Sequence, residues 1–327
     1  MMNIYDVHCH PTDSPASLEY IPSMVTTKLV VMSTCLKDMP CVESLYKQYP
    51  EKVVPAFGFH PWYSYQIYND LDSNETCIGN FQPPNKFDHY KTVISPQPSD
   101  EFLNLLPSPF PLSTVISEIE SRLARIPQAI VGECGLDKIF RIPEPDSILH
   151  DEKECEVALE NRKLSKYRVS FDHQNMVLKA QLHLAVKYNR PISLHGVQCP
   201  GALYQTVMEG PKFPPSVCLH SYTGSAEFLK NNWYKSKSKK KTPETHQQAP
   251  KIYVSCSILI NEKSHDELIK TIPRDRLLFE SDFHKAGDYM DKLNLAILEK
   301  ASKILGVSIE DLAAQVEQNV CKGFLFF

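Results

Sequence analysis

The chain has 327 residues and a formal net charge of -4, with 42% hydrophobic and 23% charged residues. This balance is typical of globular proteins, and it predicts no general attraction to nucleic acid or anionic membranes, so that any polyanion site would be local. No apolar run reaches the length of a membrane span, and the N-terminus lacks the apolar core of a signal peptide. Ten scattered cysteines without a CxxC pair favour reduced thiols. We therefore expect a cytoplasmic or nuclear protein.

Eight apolar runs, rich in β-branched residues, recur between helical patterns. They cover residues 4–10, 28–35, 53–60, 129–137, 191–197, 216–222, 252–258 and 276–284. Continuous runs of this kind predict strands that are covered on both faces, and strands that alternate with helices predict a parallel sheet. Eight such units predict a (β/α)8 TIM barrel, built as a single domain over residues 1–327.

Apolar residues at helical spacing predict the helices between and after these strands. The clearest helical patterns cover residues 113–126, 175–188, 291–306 and 308–320. In the last of them, Ser308 and Asp311 resemble a capping box at the first turn.

Two connections are longer than a minimal barrel needs. They cover approximately 63–112 after the third strand and 138–173 after the fourth strand. Both leave the carboxyl ends of strands, so we interpret them as insertions that extend over the barrel mouth, where long loops are usually functional.

Side chains that can bind metal stand at the carboxyl ends of the predicted strands. They are His8 and His10 on the first strand, His60 on the third, Glu133 on the fourth, His195 on the fifth, His220 on the sixth and Asp282 on the eighth. In a barrel these ends meet at one mouth, and buried imidazoles and carboxylates are costly unless they are paired or bound to metal. The set predicts a site for two divalent cations, with Glu133 bridging them; mixed nitrogen and oxygen ligands suit Zn, Mn or Fe, and Mg where water completes the shell.

The remaining polar residues near these strand ends leave alternatives open. His60 could bind metal, hold a phosphate or cap the Pro-Trp turn that follows it, and we favour a phosphate or substrate contact. Glu280 and His284 share strand parity with Asp282, so they could orient the ligands from behind. Asp137 is interpreted as a turn residue only.

Eight short motifs, in order along nearly the whole chain, resemble those of one enzyme family. They are DVHCH (6–10), GFHPW (58–62), IVGECGLD (130–137), QNMVLKAQLHLA (174–185), PISLH (191–195), LHSYTGS (219–225), FESDF (279–283) and EQNVCKGF (317–324). Together they make the chain similar to TatD-type metal-dependent hydrolases of the amidohydrolase superfamily.

The resemblance implies phosphodiester hydrolysis, typically of DNA trimmed from a 3′ end. It implies that one metal is held by His8, His10, Glu133 and Asp282, and a second metal by Glu133, His195 and His220. It also implies that Asp282 acts as general base toward water whose pKa is lowered by the cations.

The chain departs from the family pattern at two positions. It has Val197 where the family usually has an arginine that could contact the substrate, and His284 where proline is common. Fungal relatives in this branch are named for interaction with an anaphase-promoting-complex subunit, so the resemblance also allows a cell-cycle ubiquitin-ligase subunit as a protein partner.

Several alternatives remain at this point. The same site could hydrolyse another ester or amide, or the barrel could be a non-catalytic scaffold for a protein partner. A lysine-rich segment at 230–251 follows the sixth βα unit, so we expect a solvated loop at the bottom of the barrel, although a localisation signal is also consistent with it. The other histidines, including His89, are interpreted as surface residues.

Overall fold

The eight predicted strands form one sheet, in which they follow chain order and every neighbouring pair is parallel. The structure is a computed structural model, and it describes residues 2–71, 82–144, 163–235, 249–260 and 265–325. The strands are β1 Tyr5–Cys9, β2 Lys28–Met32, β3 Val53–Phe57, β4 Ile130–Asp137, β5 Ile192–Val197, β6 Ser216–Leu219, β7 Lys251–Ser257 and β8 Leu277–Glu280. The predicted (β/α)8 architecture is confirmed.

The first and last strands meet along a seam that closes the barrel. The backbone N–H of Asp282 donates to the carbonyl oxygen of His8 at 3.0 Å. The buried carboxylate of Asp6 accepts the N–H groups of His8 at 3.2 Å and Ser281 at 3.0 Å. Asp6 therefore holds together the two chain segments that carry predicted site residues.

Helices cover the outside of the barrel. The α-helices are α1 Met39–Gln48, α2 Lys86–Val93, α3 Asp100–Leu105, α4 Leu112–Arg125, α5 Phe171–Lys187, α6 Pro200–Glu209, α7 Ala226–Phe228, α8 His265–Thr271, α9 Asp288–Leu305 and α10 Ile309–Gln318. The four predicted helical patterns correspond to α4, α5, α9 and α10. The capping prediction also holds, because Ser308 Oγ accepts the N–H of Asp311 at 3.1 Å.

The main core lies between the sheet and the helices. Residues of β1, β3 and β4 are buried along their whole length, as expected for strands covered on both faces. On α4, Val115, Ile119 and Leu123 recur every fourth residue and are fully buried, so one stripe of the helix faces the sheet.

The two long connections pack against each other and form a second, smaller hydrophobic core. Tyr90 and Phe102 from the first connection meet Ile142 and Tyr167 from the second. A short antiparallel pair, Ile94–Ser95 with Arg168–Val169, also joins them. Residues 72–81 and 145–162 of these connections lie outside the described residues.

His89 is not a surface residue, so that prediction is wrong. It is 5% exposed, and its Nε2 lies 2.8 Å from the carbonyl oxygen of Tyr65. The second core covers the helix α2 face that carries His89, and a sequence window cannot show a packing partner that lies in a distant connection.

Other predictions concern the cysteines, the lysine-rich segment and the membrane. The strand cysteines Cys9, Cys134, Cys218 and Cys256 are buried, and none of the described cysteines forms a disulfide. Most of the lysine-rich segment, residues 236–248, lies outside the described residues. Among the helices that the structure describes, none is both long and apolar enough to cross a bilayer.

Candidate metal centre

Glu133 stands at the centre of the barrel mouth, with one carboxylate oxygen facing β1. Its Oε2 lies 3.3 Å from His8 Nε2 and 3.4 Å from His10 Nε2. The same nitrogen of His10, Nε2, also lies 3.6 Å from Asp282 Oδ1. These four groups were predicted to share one cation, and the structure brings them together.

The other oxygen of Glu133 faces the opposite half of the mouth. Its Oε1 lies 2.9 Å from His195 Nδ1, 3.1 Å from His220 Nε2 and 3.2 Å from His60 Nε2. The two oxygens therefore divide the imidazoles into two sets, and this division matches the two predicted ligand sets, with His60 added to the second.

Close backbone packing places Glu133 at this position. A Cβ on Gly58, at the end of β3, would lie 2.5 Å from the carbonyl carbon of Gly132 and 2.7 Å from the nitrogen of Glu133. The N–H of Glu133 donates to the carbonyl oxygen of Ser33 at 3.0 Å. The glycine of the GFHPW motif thus permits β3 and β4 to approach closely enough to aim the carboxylate into the mouth.

Asp137 belongs to the site, which corrects its interpretation as a turn residue only. Its Oδ2 lies 3.1 Å from His195 Nε2 and accepts the indole N–H of Trp62 at 2.7 Å. Its Oδ1 accepts the N–H groups of Ile139 and Phe140 at 2.9 and 2.8 Å, which is the turn role that the sequence suggested. Since β4 runs from Ile130 to Asp137, the parity shared with Glu133 could have indicated the second role.

Glu280 supports His220 in the same way. Its Oε1 lies 3.1 Å from His220 Nδ1 and accepts the N–H and the hydroxyl of Ser221 at 2.7 and 2.6 Å. The predicted orienting role of Glu280 fits this geometry. His284 lies beside the ring of Phe283 at 4.7 Å, and within the described part of the chain we find no hydrogen bond from it to the cluster.

Each imidazole has an inner nitrogen, which faces Glu133, and an outer nitrogen, which faces away from it. The hydrogen bond of the outer nitrogen determines whether the inner nitrogen carries a proton or a free lone pair. Both ring nitrogens of His195 and of His220 face carboxylates, which only accept, so without a cation each ring favours a proton on both nitrogens. If a cation replaced the inner proton, Asp137 would keep the proton on Nε2 of His195 and Glu280 would keep it on Nδ1 of His220. The lone pairs of His195 Nδ1 and His220 Nε2 would then face the cation. In His8, Nδ1 pairs with Ser193 Oγ at 3.0 Å. His60 differs, because its Nδ1 accepts the N–H of Trp62, so its Nε2 carries a proton and donates.

Electrostatics inside the cluster favour charged carboxylates. Burial alone would raise the pKa of Glu133, but His60, His8 and His220 overcome it and hold the pKa well below its usual range. Burial lowers the pKa of His60 to about 4, so its ring stays neutral. For His10, burial also lowers the pKa, but Asp282 and Glu133 more than offset it and raise the value to about 9.

The donor set fits divalent cations. His8 is fully buried, and its Nε2 has no hydrogen-bond partner among the described residues although it faces Glu133. Three overlapping groups could each hold an ion, and every predicted ligand occurs in them: His8, His220 and Asp282; His8, His10 and Glu133; His60, Glu133 and His195. Imidazole nitrogens and carboxylate oxygens in this arrangement are typical ligands of Zn and Mn.

Asp282 has an unusual backbone conformation. Its φ of +52° lies in the left-handed region, which few non-glycine residues adopt. The seam bond from its N–H to His8 holds it there, and the strained conformation turns its carboxylate toward His10.

Comparisons with known proteins find relatives along nearly the whole chain. The family model of TatD-related DNases matches residues 5–325. Cut9-interacting protein scn1 of Schizosaccharomyces pombe is 34% identical, covering 99% of both chains, and the uncharacterized deoxyribonuclease YMR262W of Saccharomyces cerevisiae is 31% identical, covering 86% of this chain and 84% of that protein.

Solved structures share the fold. The TatD homologue YJJV of Escherichia coli K12 has a TM-score of 0.60 at 17% identity, with 98% of this chain and 97% of that chain covered. A TatD-family hydrolase from Entamoeba histolytica has a TM-score of 0.57 at 14% identity, and it is covered over 99% of both chains.

Proposed function

Because this chain belongs to the family of TatD-related DNases, we propose that its site hydrolyses phosphodiester bonds with the help of two divalent cations, with DNA trimmed from the 3′ end as the substrate. The observation that carries the proposal is the division of imidazoles between the two oxygens of Glu133. A carboxylate with nitrogen donors on both sides is suited to bridge two cations. Mg, Mn or Zn would fit the donors.

In this proposal the two ligand sets keep their predicted members. One cation would be held by His8, His10, Glu133 and Asp282, and the other by Glu133, His195 and His220. When bound, the cations supply Lewis-acid stabilisation of the phosphate and lower the pKa of water.

The chain's own residues do the remaining work. Asp282 is turned toward the centre and has a pKa below its usual range, because His220 and His10 outweigh the effect of burial. It is therefore ionised at neutral pH and accepts the proton of the attacking water as general base. Glu280 and Asp137 hold His220 and His195 in the tautomers that leave a lone pair for metal.

His60 has a separate role in the proposal. Since its Nε2 carries a proton, it cannot donate a lone pair from that atom, and a hydrogen bond to a phosphate oxygen is the contact it can make. It thereby orients the substrate beside the second ligand set. This supports the substrate-binding prediction over metal binding or a simple cap.

The test is digestion of single-stranded DNA by purified protein with Mg or Mn, beside an Asp282→Asn variant and a metal count on both proteins. Metal-dependent 3′ trimming that the variant loses supports the proposal. Bound metal without cleavage would favour another ester or amide substrate. A folded protein without metal and without cleavage would contradict the enzymatic proposal and favour a scaffold.

We also propose a protein partner, because the relative that is 34% identical over nearly the whole chain is named for interaction with Cut9. A subunit of a cell-cycle ubiquitin ligase is the candidate, and residence in cytoplasm or nucleus would be consistent with it. Affinity purification of the tagged chain, with mass spectrometry of bound proteins, tests this, and recovery without any such subunit would contradict it.

A further inference from the structure

A basic, aromatic surface beside the metal centre is not explained by the cation ligands. We propose that this surface binds single-stranded nucleic acid and leads the strand into the centre. The inference rests on the proposed function, since it gives the phosphodiester substrate a path. We name the surface the β4 track and define it by Trp62, Lys138, Phe140, Arg141, Lys166 and Arg168.

The aromatic part begins at the centre and extends outward. The Trp62 ring stands edge-on to His60, with centroids 4.6 Å apart, and 6.0 Å from His195. The Trp62 ring stacks on Phe140 at 4.8 Å with an angle of 11° between the planes. Both side chains are half-buried, so parts of their surfaces remain open to a ligand. Bases stack on such rings without regard to sequence.

The basic part comes from the second long connection. In the described residues 138–144 and 163–171, five side chains are basic and one is acidic, whereas residues 145–162, which lie outside the described part, include six acidic and two basic residues. Lys138, Arg141, Lys166 and Arg168 are all exposed. Local positive charge of this kind attracts phosphates even where the whole protein is acidic.

The two legs of this connection are paired, which fixes where the charges point. Ile142 donates to the carbonyl oxygen of Tyr167 at 2.8 Å and accepts from Ser165 at 3.0 Å. Ser165, Tyr167 and Val169 are buried, whereas Lys166 and Arg168 between them are exposed. The alternation buries one face in the second core and leaves the other face basic.

One contact ties the basic face to the metal centre. The Arg168 guanidinium donates to the carbonyl oxygen of Lys138 at 2.8 Å, and Lys138 follows Asp137 directly. The N–H of Lys138 in turn donates to the carbonyl oxygen of Val197 at 3.1 Å, beside the fifth-strand end. Phosphates held by the side chains of Lys138 and Arg168 would therefore lie next to the His195 side of the mouth.

The test is fluorescence anisotropy with a labelled oligothymidylate of about twelve nucleotides, a length that single-strand-binding surfaces commonly cover. A chelator is present so that no strand is cut. We expect the Arg141→Glu, Lys166→Glu double variant to bind about tenfold more weakly at about 50 mM salt, with a shallower salt dependence. Phe140→Ala is expected to weaken binding about tenfold with little change in the salt slope. Melting curves confirm that each variant is folded.

The matched control places the same charge change at the other end of the barrel. Lys270 and Lys303 are exposed in the last turns of α8 and α9, and the double change to Glu there is expected to leave the affinity unchanged. Equal weakening by both double variants, no weakening by the track variants, or no binding by the wild type would overturn the inference. A blunt duplex that binds as tightly as the single strand would overturn the stacking contribution.

A second measurement separates this inference from the proposed function. Wild-type hydrolysis of a small chromogenic phosphodiester, which reaches only the centre, reports on the metal site alone. Hydrolysis without oligothymidylate binding refutes the track but not the proposed function. Binding through the track without hydrolysis refutes the proposed function but not the track.

Discussion

Changing Asp137 to asparagine is expected to reverse the proton position on His195. In the wild type, Asp137 Oδ1 accepts two backbone N–H groups, from Ile139 and Phe140. Its Oδ2 accepts from Trp62 and pairs with His195 Nε2. In Asp137→Asn the amide oxygen has to stay with the two backbone donors, so the amide nitrogen takes the place of Oδ2.

The consequence can be followed atom by atom. The new amide N–H groups face the indole N–H of Trp62, which loses its acceptor, and a buried unpaired donor costs about 1–3 kcal/mol. His195 can keep its bond only by accepting on Nε2, which moves its proton to Nδ1, the atom that faces Glu133. Loss of the hydrogen-bond partner of a metal-binding histidine typically lowers metal affinity about 10–100-fold. Because Asp137→Asn also puts a proton on His195 Nδ1, the predicted ligand atom, we expect a loss of metal affinity near about 100-fold.

Glu280→Gln provides the matched control. The oxygen that pairs with His220 also accepts the N–H and the hydroxyl of Ser221, while the other oxygen is buried without a hydrogen-bond partner among the described residues. Glutamine can therefore keep an oxygen at the first position, and His220 keeps its proton on Nδ1. We expect a loss of metal affinity below about tenfold.

The assay compares both variants with the wild type by metal content at limiting Mn or Zn, by kcat/KM on a chromogenic phosphodiester, and by urea unfolding. Asp137→Asn should lose most of one equivalent of metal and about 2 kcal/mol of unfolding free energy. Equal losses in the two variants would refute the tautomer argument. Wild-type metal content in Asp137→Asn would refute it as well.

Three further predictions follow from the fold and the site. Gly58→Ala should lower kcat/KM about 100-fold, because a Cβ 2.5 Å from the Gly132 carbonyl carbon forces an ångström-scale shift beside Glu133. Gly201→Ala should leave kcat/KM unchanged, because a Cβ there meets nothing within 4 Å. Equal activities of the two variants in steady-state kinetics would contradict this prediction. The hydrogen bond from Arg125 lowers the pKa of Glu43 from 4.5 to about 2. The stabilisation that the Glu43 carboxylate gives is therefore complete above about pH 5 and is lost as the pH falls toward 2. The difference in urea midpoint between the wild type and Glu43→Gln should shrink from pH 7 to pH 3, and a constant difference would contradict this prediction. Chelation should lower the melting temperature, since metal at about 1,000 times its Kd contributes about 4 kcal/mol, and an unchanged melting curve would speak against a loaded site.

The strands and the metal-competent residues could be predicted because both leave local signals. A strand covered on both faces needs a continuous apolar run, and a barrel gathers the side chains that end those runs. His8 on the first strand and Asp282 on the eighth could therefore be assigned to one mouth although they are distant in sequence. Their use as metal ligands stays a prediction.

Other features could not be predicted because they depend on distant packing. Asp137 reads as a turn residue, since its bonds to the next two N–H groups are local, whereas its bond to His195 requires the β4–β5 pairing. His89 is polar and lies on a short helix, and only the second core shows why it is buried. Nothing in either segment taken alone indicates that the two long connections pack together.

The seam between β1 and β8 has a consequence for biosynthesis. The seam joins Ser281 to Asp6, and these residues are 275 positions apart in the sequence. The ribosome therefore makes β1, with His8, long before it makes β8 and Asp282. Contacts so far apart in sequence form late and slowly. A nascent chain thus holds His8 and His10 without Asp282 until the whole stretch between them has been made, and it gains the complete set of predicted ligands only when β1 and β8 meet. Any hydrolysis at this centre would have to wait until the protein has folded.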